Sequence, residues 1–155
     1  IGEVLGNARR SLPGLYEAPL PEEGQLSFHA TMSEAVAGAI WIQESVPEQL
    51  ALKQKVYQTL QAHCDPAAVL GSSTSGFKPS ELQAGATRPE QIMVCHPFNP
   101  VYLLPLIEVV PTDQSDLTIV ERAECILRDM GMYPHKDRGE GDALGVVVWH
   151  QTGKW

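Results

Sequence analysis

Short apolar runs of four or five residues alternate along this chain with longer segments whose apolar residues recur every three or four positions, and that alternation leaves few folds open. Residues 39–43, 67–70, 92–95 and 106–110 each read as a short buried strand. Between the first two lies a helical pattern, with Pro47 at its first turn and Leu52, Val56 and Leu60 at i, i+4 and i+8. Asp65-Pro66 breaks it. After the fourth run, Val120, Ala123, Leu127 and Met130 share one helical face, and Gly131 stands where a left-handed residue ends a helix. Strand–helix alternation of this kind predicts an α/β fold built on a mostly parallel sheet with flanking helices.

The flanks are less regular. The first dozen residues read as an amphipathic helix carrying Ile1, Val4, Leu5, Ala8 and Leu12 on one face and ended by Pro13 and Gly14. Leu26, Phe28 and Ala30 alternate with polar residues as a short strand does, and Ser33 is placed to cap a brief helix over 34–38. Residues 137–145 are Gly-rich and charged, and the apolar burst over 146–149 reads either as a terminal strand or as a tail without native structure.

Bulk properties exclude several classes. The net charge is -8, and the 11 Lys and Arg are scattered, so no basic stripe for nucleic acid forms. No apolar stretch approaches the roughly 20 residues that span a bilayer, and no charged-then-apolar leader pattern is present. Cys64, Cys95 and Cys125 are odd in number and lack C-x-x-C spacing, which argues against a disulfide framework and for a reducing, cytoplasmic setting.

Chemistry concentrates where the apolar runs end. Ser75 follows one such end, His96 another, and Glu108 lies inside the run 106–110, where an ionised carboxylate is costly unless paired. In an open α/β sheet, strand ends line the ligand crevice. An imidazole beside a carboxylate has its tautomer fixed and its protonated form stabilised. Such a pair suits removal of a proton from an alcohol. A metal site built on Cys95 and His96 is disfavoured because adjacent strand residues point to opposite faces. A Ser-His-Glu hydrolase is disfavoured because no G-x-S-x-G elbow is present.

From residue 39 to about residue 133 the chain resembles the second half of the NAD-binding domain of 3-hydroxyacyl-CoA dehydrogenases. The resemblance rests on Ser72-Ser73-Thr74-Ser75, matching a strand-end S-x-T-S, and on His96-Pro97-Phe98-Asn99-Pro100 through Glu108-Val109, matching H-x-F-N-P … E-V. Within that superfamily, SSTSG and HPFNPVYLLPLIEVV are most similar to the carnitine 3-dehydrogenase branch. The resemblance implies a Rossmann-type sheet, NAD as cofactor, and a small-molecule substrate, L-carnitine or a related 3-hydroxy acid derivative. It implies catalytic roles for His96 (general base), Glu108 (its support) and Ser75 (a hydrogen bond to substrate or nicotinamide). Glu48, Lys53, Ser75 and Asn99 match positions that contact the cofactor. Phe98 and Tyr102 are candidates to receive a quaternary ammonium on their ring faces.

The dinucleotide fingerprint G-x-G-x-x-G and the acidic residue about 20 positions beyond it are absent from the sequence. The resemblance places both before the helix with which the chain begins. The expectation is therefore a fragment: residues 1–134 a partial NAD-binding domain lacking the first βαβ unit, residues 135–155 a divergent tail, and a helical C-terminal dimerisation domain absent. The intact enzyme is expected to be a homodimer, with no nucleic-acid or membrane partner. Two alternatives accompany this reading. One is a 3-hydroxyacyl-CoA dehydrogenase, against which the few cations weigh mildly; the other is a non-catalytic Rossmann remnant, which the missing glycine loop favours.

Overall fold

The computed structural model describes residues 2–15, 22–101 and 104–137. Five strands form one sheet in chain order: β1 (Trp41–Glu44), β2 (Val69–Ser72), β3 (Ile92–Pro97), β4 (Leu106–Val110) and β5 (Tyr133–Lys136). β1, β2 and β3 run parallel, β4 is antiparallel to β3, and β5 is parallel to β4. The helices are α1 (Gly2–Leu15), α2 (Met32–Val36), α3 (Leu50–Gln61), α4 (Pro79–Gln83) and α5 (Leu117–Asp129), of which α2 to α5 supply the residues that pack on the sheet. The expected α/β architecture with a mostly parallel sheet is what forms.

The strands read as continuous apolar runs because both faces of the sheet are covered. Alternate residues supply two cores. Leu70, Ile92, Val94 and Val110 pack with Val36, Tyr57, Leu60 and Leu82 from α2, α3 and α4. Val69, Met93, Cys95, Ile107 and Val109 pack with Ile119, Val120, Ala123 and Leu127 of α5. Asp116 starts α5 by accepting the amides of Thr118 (2.7 Å) and Ile119 (3.4 Å), and Gly131, at φ +80°, follows its last turn as expected.

Several local expectations are corrected. Residues 26–30 form no strand: Leu26 and Phe28 are exposed, and among the described residues no ladder takes up their backbone groups. Thr31, not Ser33, caps α2, its hydroxyl accepting the Glu34 amide. α1 runs past Pro13 and Gly14 and ends at Leu15, two residues after the proline whose missing N–H and bulky ring disfavour further helix. α3 begins at Leu50 rather than at Pro47. Of the expected stripe Leu60 is buried and Val56 packs against the core, while Lys53 and Tyr57 rather than Leu52 take the innermost positions beside Gln61. Met130 ends α5 largely exposed instead of joining the core. β5 was not expected, because Tyr133-Pro134-His135-Lys136 has neither the apolar run nor the alternation of the other strands. The apolar burst over 146–149 lies outside the described residues.

β1 and β3 communicate across β2 at Gly71. The Gln43 side chain lies over this position, donating to Ser73 Oγ (2.8 Å) and to the Cys95 carbonyl (2.9 Å). A Cβ at Gly71 meets Gln43 Oε1 at 2.9 Å, Cys95 Cβ at 3.0 Å and Cys95 Sγ at 3.2 Å. Gly71→Ala is therefore expected to lower stability by roughly 1–3 kcal/mol through overpacking. Urea unfolding checks this, and an unchanged midpoint would contradict the packing described.

Candidate functional site

Because β1, β2 and β3 are parallel, their C-terminal ends share one edge of the sheet, where Glu44, Ser72 and Pro97 lie. The chemistry-bearing side chains gather in two groups along that edge. Each is built around a buried carboxylate.

The first group surrounds Glu44, the last residue of β1. Its Oε1 accepts from Lys53 Nζ (2.9 Å) and the Val46 amide (2.7 Å), and its Oε2 from Tyr57 Oη (3.0 Å) and Ser72 Oγ (2.7 Å). Lys53 also reaches the Val46 carbonyl at 3.1 Å and Glu48 Oε2 at 3.2 Å, with only 1% of its side chain exposed. Burial, and after it the Glu44 charge, hold the Tyr57 phenol far above its usual range, so it remains a donor. Glu48 is the outer member, its side chain 42% exposed. It accepts a short hydrogen bond from Thr74 Oγ1 and one from the Gly76 amide at 3.0 Å. Burial alone would raise its pKa; the Thr74 hydroxyl, the Lys53 ammonium and the Gly76 amide outweigh that and hold it below the usual carboxylate range.

The second group surrounds Glu108. The antiparallel register sets Glu108 of β4 opposite His96 of β3, and His96 Nδ1 lies 3.8 Å from Glu108 Oε2. That separation suits a charge pair and is longer than a hydrogen bond. On its other side the parallel register sets Glu108 opposite His135, and the Asp137 amide binds the Val109 carbonyl at 3.0 Å. The backbone thus brings the buried Asp137 carboxyl to the Glu108 carboxyl. As two carboxylates they have nothing to donate to each other; a protonated Glu108 pairs with Asp137. Burial first, then this hydrogen bond and the Asp137 charge, push the Glu108 pKa up to about 8.

The residues singled out from sequence fall into place unevenly. His96 and Glu108 are brought together, and so are Glu48 and Lys53. Ser75 is half-buried in the loop after β2, between the two residues that hold Glu48. Phe98 stacks obliquely on His96, with ring centroids 5.9 Å apart and planes at 57°. Asn99 is exposed in the turn after β3, and Tyr102 lies outside the described residues. Cys95 leaves β3 on the face opposite His96, into the core beneath α5, where burial raises its thiol well above the usual range. Sequence reasoning missed Glu44, Tyr57, Ser72 and Asp137. A signal for Glu44 existed: a carboxylate directly after the buried run 39–43, as conspicuous as Glu108 in its own run.

The family profile described as "3-hydroxyacyl-CoA dehydrogenase, NAD binding domain" matches residues 21–136. The chain belongs to this family. The match includes β1 to β5 and with them Glu44, Glu48, Lys53, His96 and Glu108, and it ends one residue before Asp137. The "L-carnitine dehydrogenase/betainyl-CoA thioesterase" of Ruegeria pomeroyi is 66% identical over 143 residues, which are 92% of this chain and 29% of the relative. The "L-carnitine dehydrogenase" of Pseudomonas putida is 42% identical over 153 residues, covering 96% of this chain and 48% of that protein. Among solved structures, the NAD+-dependent 5-formyl-3-hydroxy-2-methylpyridine 4-carboxylic acid 5-dehydrogenase superposes with a TM-score of 0.83 at 27% identity, covering 97% of this chain and 50% of that one. The chain thus spans less than half the length of these two curated relatives. The resemblance drawn from SSTSG and HPFNP holds at the level of family and fold.

The raised Glu108 pKa has a consequence for a 3-hydroxyacyl-CoA dehydrogenase NAD-binding domain of this geometry. The folded state binds the Glu108 proton more tightly than the unfolded chain, whose carboxyl sits near 4.5. Its contribution to stability is present in full below about 4.5 and is lost as pH rises towards about 8. Glu108→Gln is expected to flatten this loss, so that it matches or exceeds the wild-type chain at high pH. Denaturant unfolding across that window checks it, and a parallel fall in both proteins would contradict the assignment.

Proposed function

We propose that the protein containing this chain oxidises the 3-hydroxyl of L-carnitine to 3-dehydrocarnitine, with NAD+ as the oxidant. The observation that carries this reading is the 66% identity with the Ruegeria pomeroyi protein named L-carnitine dehydrogenase/betainyl-CoA thioesterase, over 92% of this chain. The residues at the strand ends suit a nicotinamide. The loop over 72–76 is made of small residues, with Ser75 half-buried in it and Glu48 half-exposed above it. The bound cofactor supplies hydride acceptance.

The chain's own residues do the rest. His96 takes the proton from the substrate hydroxyl, and the Glu108 carboxyl beneath it offsets the imidazolium charge and fixes the ring. In this reading Glu108 acts in its ionised form, so turnover rises as Glu108 loses its proton towards about 8. Ser75 donates to the substrate oxygen or the carboxamide side of the cofactor. Glu48, Lys53 and Asn99 belong to the cofactor side. Phe98 is the candidate to receive the trimethylammonium group on its ring face, and Tyr102 is proposed for the same role from its place in the sequence.

Initial rates of NADH formation by the full-length protein containing these residues test the proposal. L-carnitine is expected to be turned over in preference to 3-hydroxybutyryl-CoA; the reverse preference would replace carnitine with an acyl-CoA substrate, and no NADH from either would overturn the reading. His96→Ala is expected to lower kcat by roughly a hundred- to ten-thousand-fold, as loss of a general base does. A drop confined to thermal stability would assign His96 a structural role instead.

A further inference from the structure

We propose that Glu44 is a positioning residue for the loop that carries Ser75, acting through Lys53 and Glu48. The inference rests on the reading of that loop as part of a cofactor site and goes beyond it, since Glu44 contacts neither the loop's outer face nor Ser75.

The geometry forms a relay of alternating charge. Glu44 is 4% exposed, and four donors converge on its two oxygens: the Lys53 ammonium, the Val46 amide, the Tyr57 phenol and the Ser72 hydroxyl. These donors come from α3, the turn after β1 and the end of β2, so one carboxylate fixes three segments against each other. Lys53 is held at Glu44 by both carboxylate oxygens (2.9 and 3.2 Å) and by the Val46 carbonyl (3.1 Å). Its reach to Glu48 Oε2, 3.2 Å, is then set by where Glu44 and Val46 hold it. Glu48 in turn accepts from Thr74 Oγ1 and the Gly76 amide, the residues on either side of Ser75. Ser72 closes the loop's near end, its hydroxyl accepting the Thr74 amide at 3.2 Å while donating to Glu44. The Ser75 loop is therefore held by Glu44 from both sides, through Ser72 directly and through Lys53 and Glu48.

The net charge of the triad decides how this works. Glu44 and Glu48 are two acidic groups and Lys53 is one ammonium, so the triad carries a single negative charge. Without Glu44 the ammonium is left to Glu48 alone and is free to draw it away from Thr74 and Gly76. Charge-assisted hydrogen bonds in so buried a setting are strong and directional, and the loss of one reorients its partners.

The test uses the full-length protein and two readouts. The first is the amide resonance and hydrogen exchange of Gly76, which report the Glu48 hydrogen bond with no cofactor added. Glu44→Gln and Glu48→Gln are each expected to speed Gly76 exchange at least tenfold and to shift its amide in the same sense. At Gly76, which the Lys53–Glu48 branch reaches, the double variant should lie much closer to Glu48→Gln alone than to the product of the two single effects, the small remainder being the Ser72 branch. The second readout is the affinity for NAD+ by titration, expected to weaken about tenfold in Glu44→Gln while kcat changes less than threefold. Tyr57→Phe removes one hydrogen bond to Glu44 and leaves every charge in place; it is expected to give a smaller change in the same direction, and it decides the matter if Glu44→Gln does not fold. Unchanged Gly76 exchange in the folded variants, or effects of Glu44→Gln and Glu48→Gln that multiply, would overturn the positioning role. A wild-type protein that does not bind NAD+ would overturn the functional reading, and Gly76 exchange would still decide the role of Glu44.

Discussion

The ion pair between Glu44 and Lys53 is the constraint on which the upper edge of this sheet depends. Both side chains are 1% exposed, and neither is tolerable there alone. Breaking a buried pair by removing one partner costs about 3–5 kcal/mol, because the other charge is left uncompensated. The pair therefore fixes the rotation of α3, which turns Lys53 inward at the expense of Leu52, and it fixes the height of α3 against the ends of β1 and β2. Everything proposed for the cofactor side is built on that platform.

The two buried carboxylates differ in a way that follows from their neighbours. Glu44 receives four hydrogen bonds, one from an ammonium, so each of its oxygens meets two donors. Glu108 has an imidazole at 3.8 Å and a second carboxyl as its neighbour, so ionisation is opposed. A structural charge needs the first setting. A group that is to respond to a charge forming on its partner suits the second, where the protonation state is balanced near neutral pH.

Much of the fold was legible because the sheet is covered on both faces. Four of its five strands appear as apolar runs, and α5 shows most of its buried stripe and its terminal glycine openly. β5 was not legible: it is an outer strand holding Tyr, Pro, His and Lys, placed by pairing with β4 and not by its own pattern. Residues 26–30 show the converse, an alternating pattern without a neighbour to pair with. Of the site, His96 and Glu108 were legible together because a carboxylate inside an apolar run demands a partner. Lys53 was singled out only through the family resemblance, as a cofactor contact, since nothing in a helical pattern reveals that an inward lysine has a carboxylate waiting above it. Asp137 follows a strand that was not anticipated, and its meeting with Glu108 depends on that strand's register.

In the proposed reaction the hydrogen leaving C3 of the substrate travels as hydride to the nicotinamide while His96 removes the hydroxyl proton. The decisive measurement incubates the full-length protein with NAD+ and L-carnitine deuterated at C3 and isolates the reduced cofactor for mass spectrometry. NADH carrying one deuterium is the expected product. Deuterium released to solvent, or a cofactor left oxidised while the label stays on carnitine, would rule the proposed reaction out.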